Sequence, residues 1–418
     1  MERYSSYKDS GVSWIGEIPG NWDTRRLKSI VSCNDESLPE NYDKEESILY
    51  VEIGDVDSIS GIKKYTTYKF KDAPSRARRI TRVGDVIIST VRTYLKAIAF
   101  IDCSNLIVST GFAVLRPFKV VPKYMAYSTM CDGFTTEVLR YSIGISYPAI
   151  SASDLLRLKV PLPPLAEQEK IVSYLEDKTS KIDAYVADKE KEIELLQELK
   201  QKTIADAVTK GLDPNAKMKD SGISWIGEIP EHWEVKKIGS LFVERREKVS
   251  DKDYPALSVS KQGITPQLDT AVKTDNGDNR KKVCKNDFVV NSRSDRKGSC
   301  GVSPYTGSVS LINIVLSPRE NIEVQYFHYL FRSNNYIEEY YRIGRGIVAD
   351  LWTTRYSEMR NIFIPLPPLD EQQAIVTYIE EKCEKIDKLA SELQSEIDYL
   401  KEYKQRLIAD CVTGQVKV

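Results

Sequence analysis

The chain has 418 residues, 41% of them hydrophobic and 29% charged, with a formal net charge of −1. That is enough length for two or three domains and enough apolar content to bury cores. The polar, mixed-charge start and the lack of any apolar run of about 18 residues exclude a signal peptide and a membrane span and point to the cytoplasm. Seven scattered cysteines form no C-x-x-C pair and have only His232 and His328 to join them, which argues against structural zinc and a disulfide framework.

The near-zero net charge hides an uneven distribution. Ten Lys/Arg face two acids between Lys63 and Lys96, whereas acids exceed bases by three to four from Leu165 to Leu212 and from Pro365 onward.

In chain order, the first signal is Lys8-Asp-Ser-Gly-Val-Ser-Trp-Ile-Gly-Glu-Ile-Pro19, which returns almost unchanged from Lys219 to Pro230. A duplicated architecture is therefore expected. Arg76, Arg78, Arg79 and Arg82 precede a short apolar run, Val86 to Ser89, and Ser89, Thr90, Arg92, Tyr94 and Lys96 close or follow it. The run Gly84 to Thr90 aligns with Asn286 to Ser292, and both read as buried strands after a turn. Further strands are expected within Leu106 to Leu115 and Val309 to Leu316, and helices over Tyr124 to Leu139 and Tyr326 to Tyr341. Each block is α+β.

Pro161-Leu-Pro-Pro-Leu-Ala-Glu-Gln168 returns as Pro365-Leu-Pro-Pro-Leu-Asp-Glu-Gln372. Each copy opens about 44 residues without an interior Pro or Gly, the mark of one long helix. In the second, Asp370 can cap, and Ile379, Ile386, Leu393, Leu400 and Leu407 recur every seven residues as a coiled-coil seam. In the first, Leu175, Ile182 and Leu196 take equivalent places with Val186 and Ile193 alongside, interrupted by Lys189 and Thr203. The chain divides accordingly into 1–160, 161–212, 213–364 and 365–418: two α+β blocks separated by two long antiparallel helices with pseudo-two-fold symmetry. Such a helix is roughly 65 Å long, comparable with about two turns of DNA.

The second block offers its own basic groups, Arg280, Lys281 and Lys282 before the strand, and Asn291, Ser292, Arg293, Ser294, Arg296 and Lys297 at and after it. Mixtures of this kind hold phosphates and aim guanidinium forks and hydroxyls at base edges. Any one arginine is equally a solvated loop residue, but the matching location in both halves favours the cluster. The glycine-bearing loops Ser142 to Tyr147, with Ser146 and Tyr147, and Arg342 to Gly346, with Arg345, are candidates for backbone approach to phosphate or are plain turns. Trp14 and Trp225 are identical in both halves, cannot encode different half-sites, and read as packing residues.

These paired motifs resemble the specificity subunits of type I restriction-modification systems, over essentially the whole chain. The resemblance implies that each variable block is a target-recognition domain reading one half of a bipartite, asymmetric DNA sequence. It implies that the helices are a ruler and a docking surface for two methyltransferase subunits. S-adenosylmethionine, ATP and Mg are then expected only on those and on restriction/translocase subunits, with no cofactor, metal or catalytic residue in this chain. In keeping with that, the sequence has no Asn/Asp-Pro-Pro-Tyr/Phe, no phosphate-binding G-x-x-x-x-G-K-[ST] and no nuclease cluster. The competing expectations are a coiled-coil scaffold that binds proteins alone and an enzyme that acts on DNA by itself.

Overall fold

The computed structural model describes residues 2–57, 61–268, 277–293, 296–319, 322–345 and 353–418. They form two compact units, Met1–Lys189 with Ser395–Val418 and Glu190–Gln394. The blocks marked in the sequence are contiguous, and the units are not: each holds the N-terminal stretch of one long helix and the C-terminal stretch of the other.

In the first unit the central antiparallel sheet runs, in spatial order, Ile98–Phe100, Val86–Ser89, Phe112–Pro117 and Val31–Cys33. Alternation along Val86–Ser89 decides the layering. Val86 and Ile88 enter a core shared with the helices Pro122–Met130 and Asp132–Arg140, while Ile87 enters a second core with Val51, Leu106 and Val108. A strand buried on both faces explains why this stretch reads as a continuous apolar run. The second sheet orders Thr66–Lys69, Ser47–Val51, Leu106–Ser109 and Ala77–Ile80, with Ser47–Val51 and Leu106–Ser109 parallel.

The second unit repeats this plan. Its central sheet runs Cys300–Val302, Phe288–Asn291, Asn313–Pro318 and Phe242–Glu244, and again Phe288 and Val290 face the helical core while Val289 faces a second one. The short helices expected over Tyr124 to Leu139 and Tyr326 to Tyr341 come as a pair in each unit. Pro122–Met130 stops before Cys131, and Val324–Arg332 stops before Ser333, whose Oγ accepts from Tyr336 N at 3.4 Å and so caps the next helix, Asn334–Arg342.

Within each unit the repeated motifs meet at one joint. The 3.0 Å bond donated by Trp22 Nε1 to Glu167 Oε2 is matched by Trp233 Nε1 to Glu371 Oε2 at 2.9 Å. Gln168 is buried; its Oε1 accepts from Val121 N at 2.9 Å and its Nε2 donates to Pro163 O at 2.8 Å. Gln372 does the same with Glu323 N and Pro367 O at the same two distances. The buried Tyr124 hydroxyl donates to Val412 O, and the Tyr326 hydroxyl to Val208 O, tying each domain to the last turn of a long helix. Gly211 and Gly414 end those helices at φ +75°, the left-handed cap glycine favours. A Cβ there would also lie 3.2 Å from Trp233 Cζ2 in one case and 2.3 Å from Pro19 Cδ in the other.

The long helices span Leu165–Lys210 and Leu369–Val412. The second starts directly after Pro368, so Asp370 lies inside the first turn rather than at the cap, where its charge still favours the helix N-terminus. In the first unit Leu175 and Val186 are buried and Ile182 half-buried, with Leu407 buried and Leu400 half-buried on the opposing stretch. Asp183 pairs with Lys404 at 2.7 Å and Lys189 reaches Glu396 at 3.9 Å, so the two stretches run antiparallel and Lys189 turns a seam interruption into a contact. In the second unit Ile379 and Leu393 are buried, Ile193, Leu196 and Ile386 half-buried, and Lys200 bonds Asp387 at 2.7 Å.

Candidate nucleic-acid interface

The turn before each central strand is pinned by a buried aspartate. Asp85 and Asp287 each accept a backbone bond at 2.8 Å, from Arg82 N and Cys284 N, and each is gripped by an arginine fork. The forks come from different strands. Arg116 on Phe112–Pro117 holds Asp85 at 3.0 and 2.9 Å, whereas Arg245, which follows Phe242–Glu244, holds Asp287 at 2.7 and 3.0 Å and also donates to Ser317, the counterpart of Arg116. With the turn fixed, the other end of the strand is a firm platform.

In the first unit that end collects residues far apart in sequence. Ser89 is buried and donates to Val91 O; Thr90 Oγ1 donates to Gly111 O at 2.9 Å; Arg76 O accepts from Thr110 N at 2.8 Å. Backbone bonds between Ile143 and Ala149, and from Ile150 N to Thr90 O, bring in the loop Ser142 to Tyr147. The Arg92 guanidinium lies 5.1 Å from the centre of the exposed Tyr147 ring, a cation–π contact. Arg76, Arg92, Tyr94 and Ser146 are exposed, and neither arginine has an ion-pair partner among the described residues.

The remaining basic residues have other engagements. Arg82 sits at the opposite end of the strand and pairs with Glu36. Arg78 covers the Phe70 ring at 4.7 Å, Arg79 donates to Ser37 Oγ at 3.4 Å, and Lys96 pairs with Asp132 at 2.6 Å.

The second unit builds the same platform with other side chains. Arg293 and Arg345 both bridge Thr353, just as Val91 and Ile143 both bridge Ala149, so Arg293 is the counterpart of Val91 rather than of Arg92. Asn291 Oδ1 accepts from Arg293 N at 3.2 Å, and Ser292 donates to Ile312 O. Arg293, Arg296 and Arg345 are exposed; Lys297 pairs with Glu338 and lies over the Tyr341 ring. Ser294 lies outside the described residues.

The triplet before the strand needs correction. Arg280 is 5% exposed and bonds Ser308 Oγ and O, and its burial lowers its pKa; the guanidinium faces the interior and leaves the candidate set. Lys281 is held by Glu244 and Asn313 O, and Lys282 by Glu247. Trp14 and Trp225 pack edge-on against Phe134 and Tyr336, as expected for packing residues. Sequence reasoning passed over Ile143 and Ile145, which are strongly exposed at the platform. Their signal was a Gly-Ile step that follows Arg140 and Arg342 at equal spacing, at 144–145 and 346–347.

No helix among the described residues is long and apolar enough to cross a membrane, and no group of three or more His, Cys, Asp or Glu among them could hold a metal ion. Fold and platform thus define a duplicated α+β protein that carries two different surfaces on one framework. A family model for the type I restriction modification DNA specificity domain matches residues 19–195 and again 230–399, and the chain belongs to that family. It is 26% identical over 430 aligned positions to the MjaX protein of Methanocaldococcus jannaschii, provisionally named a type I restriction enzyme specificity subunit, covering 97% of this chain and 96% of that one. With the EcoBI specificity subunit of Escherichia coli it shares 23% identity over 68% of this chain and 64% of the relative.

Two solved chains share the fold. One, from work on complex assembly and conformational transition of the type I R-M system, superposes with a TM-score of 0.70 at 23% identity, covering 96% of this chain and 99% of that one. The HsdS subunit from Thermoanaerobacter tengcongensis gives 0.51 at 23% identity, over 96% and 98%.

Proposed function

We propose that this chain is the non-catalytic recognition subunit of a type I restriction-modification complex, each unit reading one half of a bipartite, asymmetric duplex sequence. The observation that carries this is the matched platform: one backbone frame carries Ser89, Thr90, Val91 and Ile143 in one unit, with Arg92 next in the chain, and Asn291, Ser292, Arg293 and Arg345 at the equivalent places in the other. Different donors at one frame are what two different half-sites require, since base edges differ in their donor and acceptor pattern. In this reading Arg92 and Arg293 aim their forks at base edges, and Arg76, Arg296 and Lys297 neutralise phosphate.

The joint and the long helices serve assembly. Two methyltransferase subunits dock on them, restriction/translocase subunits join through the complex, and helix length sets the unread spacer. S-adenosylmethionine, ATP and Mg act on those partners, in the cytoplasm where host DNA lies. The test is co-expression with a methyltransferase subunit and genome-wide mapping of methyladenine. A single bipartite motif is expected, together with no turnover by the purified chain supplied with S-adenosylmethionine, Mg and DNA. Methylation without a bipartite motif, or turnover by the chain alone, contradicts the proposal.

A further inference from the structure

We infer that the loop 142–147 carries an apolar wedge, Ile145 supported by Ile143 and Tyr147, that inserts at a base step of the target duplex; this rests on the proposal that the platform faces DNA. Ile145 is 102% exposed, Ile143 83% and Tyr147 65%, and the adjoining segment adds Tyr94 at 50% and Leu95 at 39%. So many large apolar side chains projecting together from one loop are unfavourable in water and mark a surface that something covers.

The loop is braced rather than loose. Ile143 and Ala149 exchange backbone bonds at 2.8 and 3.0 Å, Ser142 Oγ lies 2.8 Å from Thr93 Oγ1 and donates to Val138 O at 2.8 Å, and Tyr147 lies under Arg92. Ile145 therefore sits on a fixed mount while making no packing contribution of its own.

What covers it follows from its surroundings. Arg92 lies over Tyr147 of this loop, and neither it nor the exposed Arg76 at the same end of the strand has an ion-pair partner among the described residues, so the surface combines cationic groups with a projecting hydrocarbon. A duplex offers the complement, anionic rims around an apolar stack, and an aliphatic side chain pushed between bases is a known way to kink it. The sequence adds a second argument. Arg140-Tyr-Ser-Ile-Gly-Ile145 and Arg342-Ile-Gly-Arg-Gly-Ile347 keep Gly-Ile at the same step while the residues between change. An isoleucine held in common by two readers of different sequences does work that is independent of base identity, and opening a base step is such work.

The experiment uses the full chain assembled with its methyltransferase subunits and a target duplex in which 2-aminopurine is moved step by step, outside the methylated adenines. Wild type is expected to brighten the probe at one step in the first half-site. Ile145→Ser should abolish that signal and weaken specific binding about tenfold or more, the scale of one aliphatic side chain left unburied. Complex assembly should be unchanged, and Ile145→Phe should restore both signal and binding. An unchanged signal and affinity in Ile145→Ser, while Arg92→Ala loses affinity, overturns the wedge and leaves the DNA-facing platform standing. Loss of methyltransferase subunits from Ile145→Ser overturns it in favour of a protein contact. Failure of the wild-type complex to bind any duplex at this platform removes the underlying proposal as well.

Discussion

The joints at Trp22–Glu167 and Trp233–Glu371 share their tryptophan, glutamine and tyrosine bonds, whereas the platforms at Thr90 and Ser292 share a backbone frame and few side chains. The joint satisfies buried polar groups that any domain placed there must satisfy, so its residues have little freedom. The platform faces outward, and its exposed side chains carry no such requirement. The joint repeats as framework, and under the proposal above the side chains that differ at the platform are the readers.

The sharpest way to break the comparison lies under the platform, where the framework itself has diverged. Arg245→Asn strands the buried Asp287 carboxylate and should cost about 3–5 kcal/mol. Adding Ser317→Arg, which imports the arrangement of Arg116 and Asp85, should recover most of that loss in urea unfolding. No recovery would mean that the two aspartates are not equivalent anchors.

Next in size are the joint glutamines. Gln168→Ala and Gln372→Ala each leave a half-buried N–H and a buried carbonyl unpaired, so each should destabilise its unit by about 1–3 kcal/mol. Equal losses by denaturant titration sharpen the equivalence of the joints, and a large inequality breaks it.

A third difference is set by pH. His328, in the second unit, accepts from Val302 N through Nδ1, and burial followed by the neighbouring Arg332 lowers its pKa to about 4. With the folded pKa below the unfolded value, the unfolded chain takes up the proton first as pH falls below about 6.5. Stability present at neutral pH is therefore lost between pH 6.5 and about 4, on the order of 2 kcal/mol by pH 5. The first unit contains no histidine to respond in this way. Urea midpoints at pH 7 and pH 5 should converge in His328→Gln relative to wild type; an identical pH response in both proteins would show that His328 is not the sensor.

The smallest effects should come from the readers themselves. Arg92→Ala and Arg293→Ala should each weaken specific binding about tenfold, 1.4 kcal/mol, and relax one motif position within its own half-site. Quantitative binding to single-base variants of the motif checks this. A uniform loss over all duplexes would reassign the arginine to phosphate.

Much of the framework was legible because it rests on local rules. The duplication, the long helices that follow Pro163-Pro164 and Pro367-Pro368, and the central strands Val86–Ser89 and Phe288–Asn291 follow from repeats, helix breakers and apolar runs. The helix breaks at Cys131 and Ser333 were not placed from the sequence: Ser333 caps the helix that follows it, whereas Cys131 makes no side-chain cap. Arg280 misled because a run of three basic residues looks solvent-facing, and its bonds to Ser308, 28 residues away, depend on strand pairing that no local pattern encodes. The offset between Arg92 and Arg293 was already contained in the alignment of Thr90 with Ser292, and the bridges to Ala149 and Thr353 bear it out.

The most direct test of the central claim is methylome mapping after exchange of one reader. Residues between Pro19 and Pro161 are replaced by the equivalent block of a relative that keeps the tryptophan corresponding to Trp22, while Glu167, Gln168 and the long helices stay unchanged. One half of the methylated motif should change, with the other half and the spacer retained. A change in both halves, or loss of methylation from a complex that still assembles, would contradict the account of two independent readers on one framework.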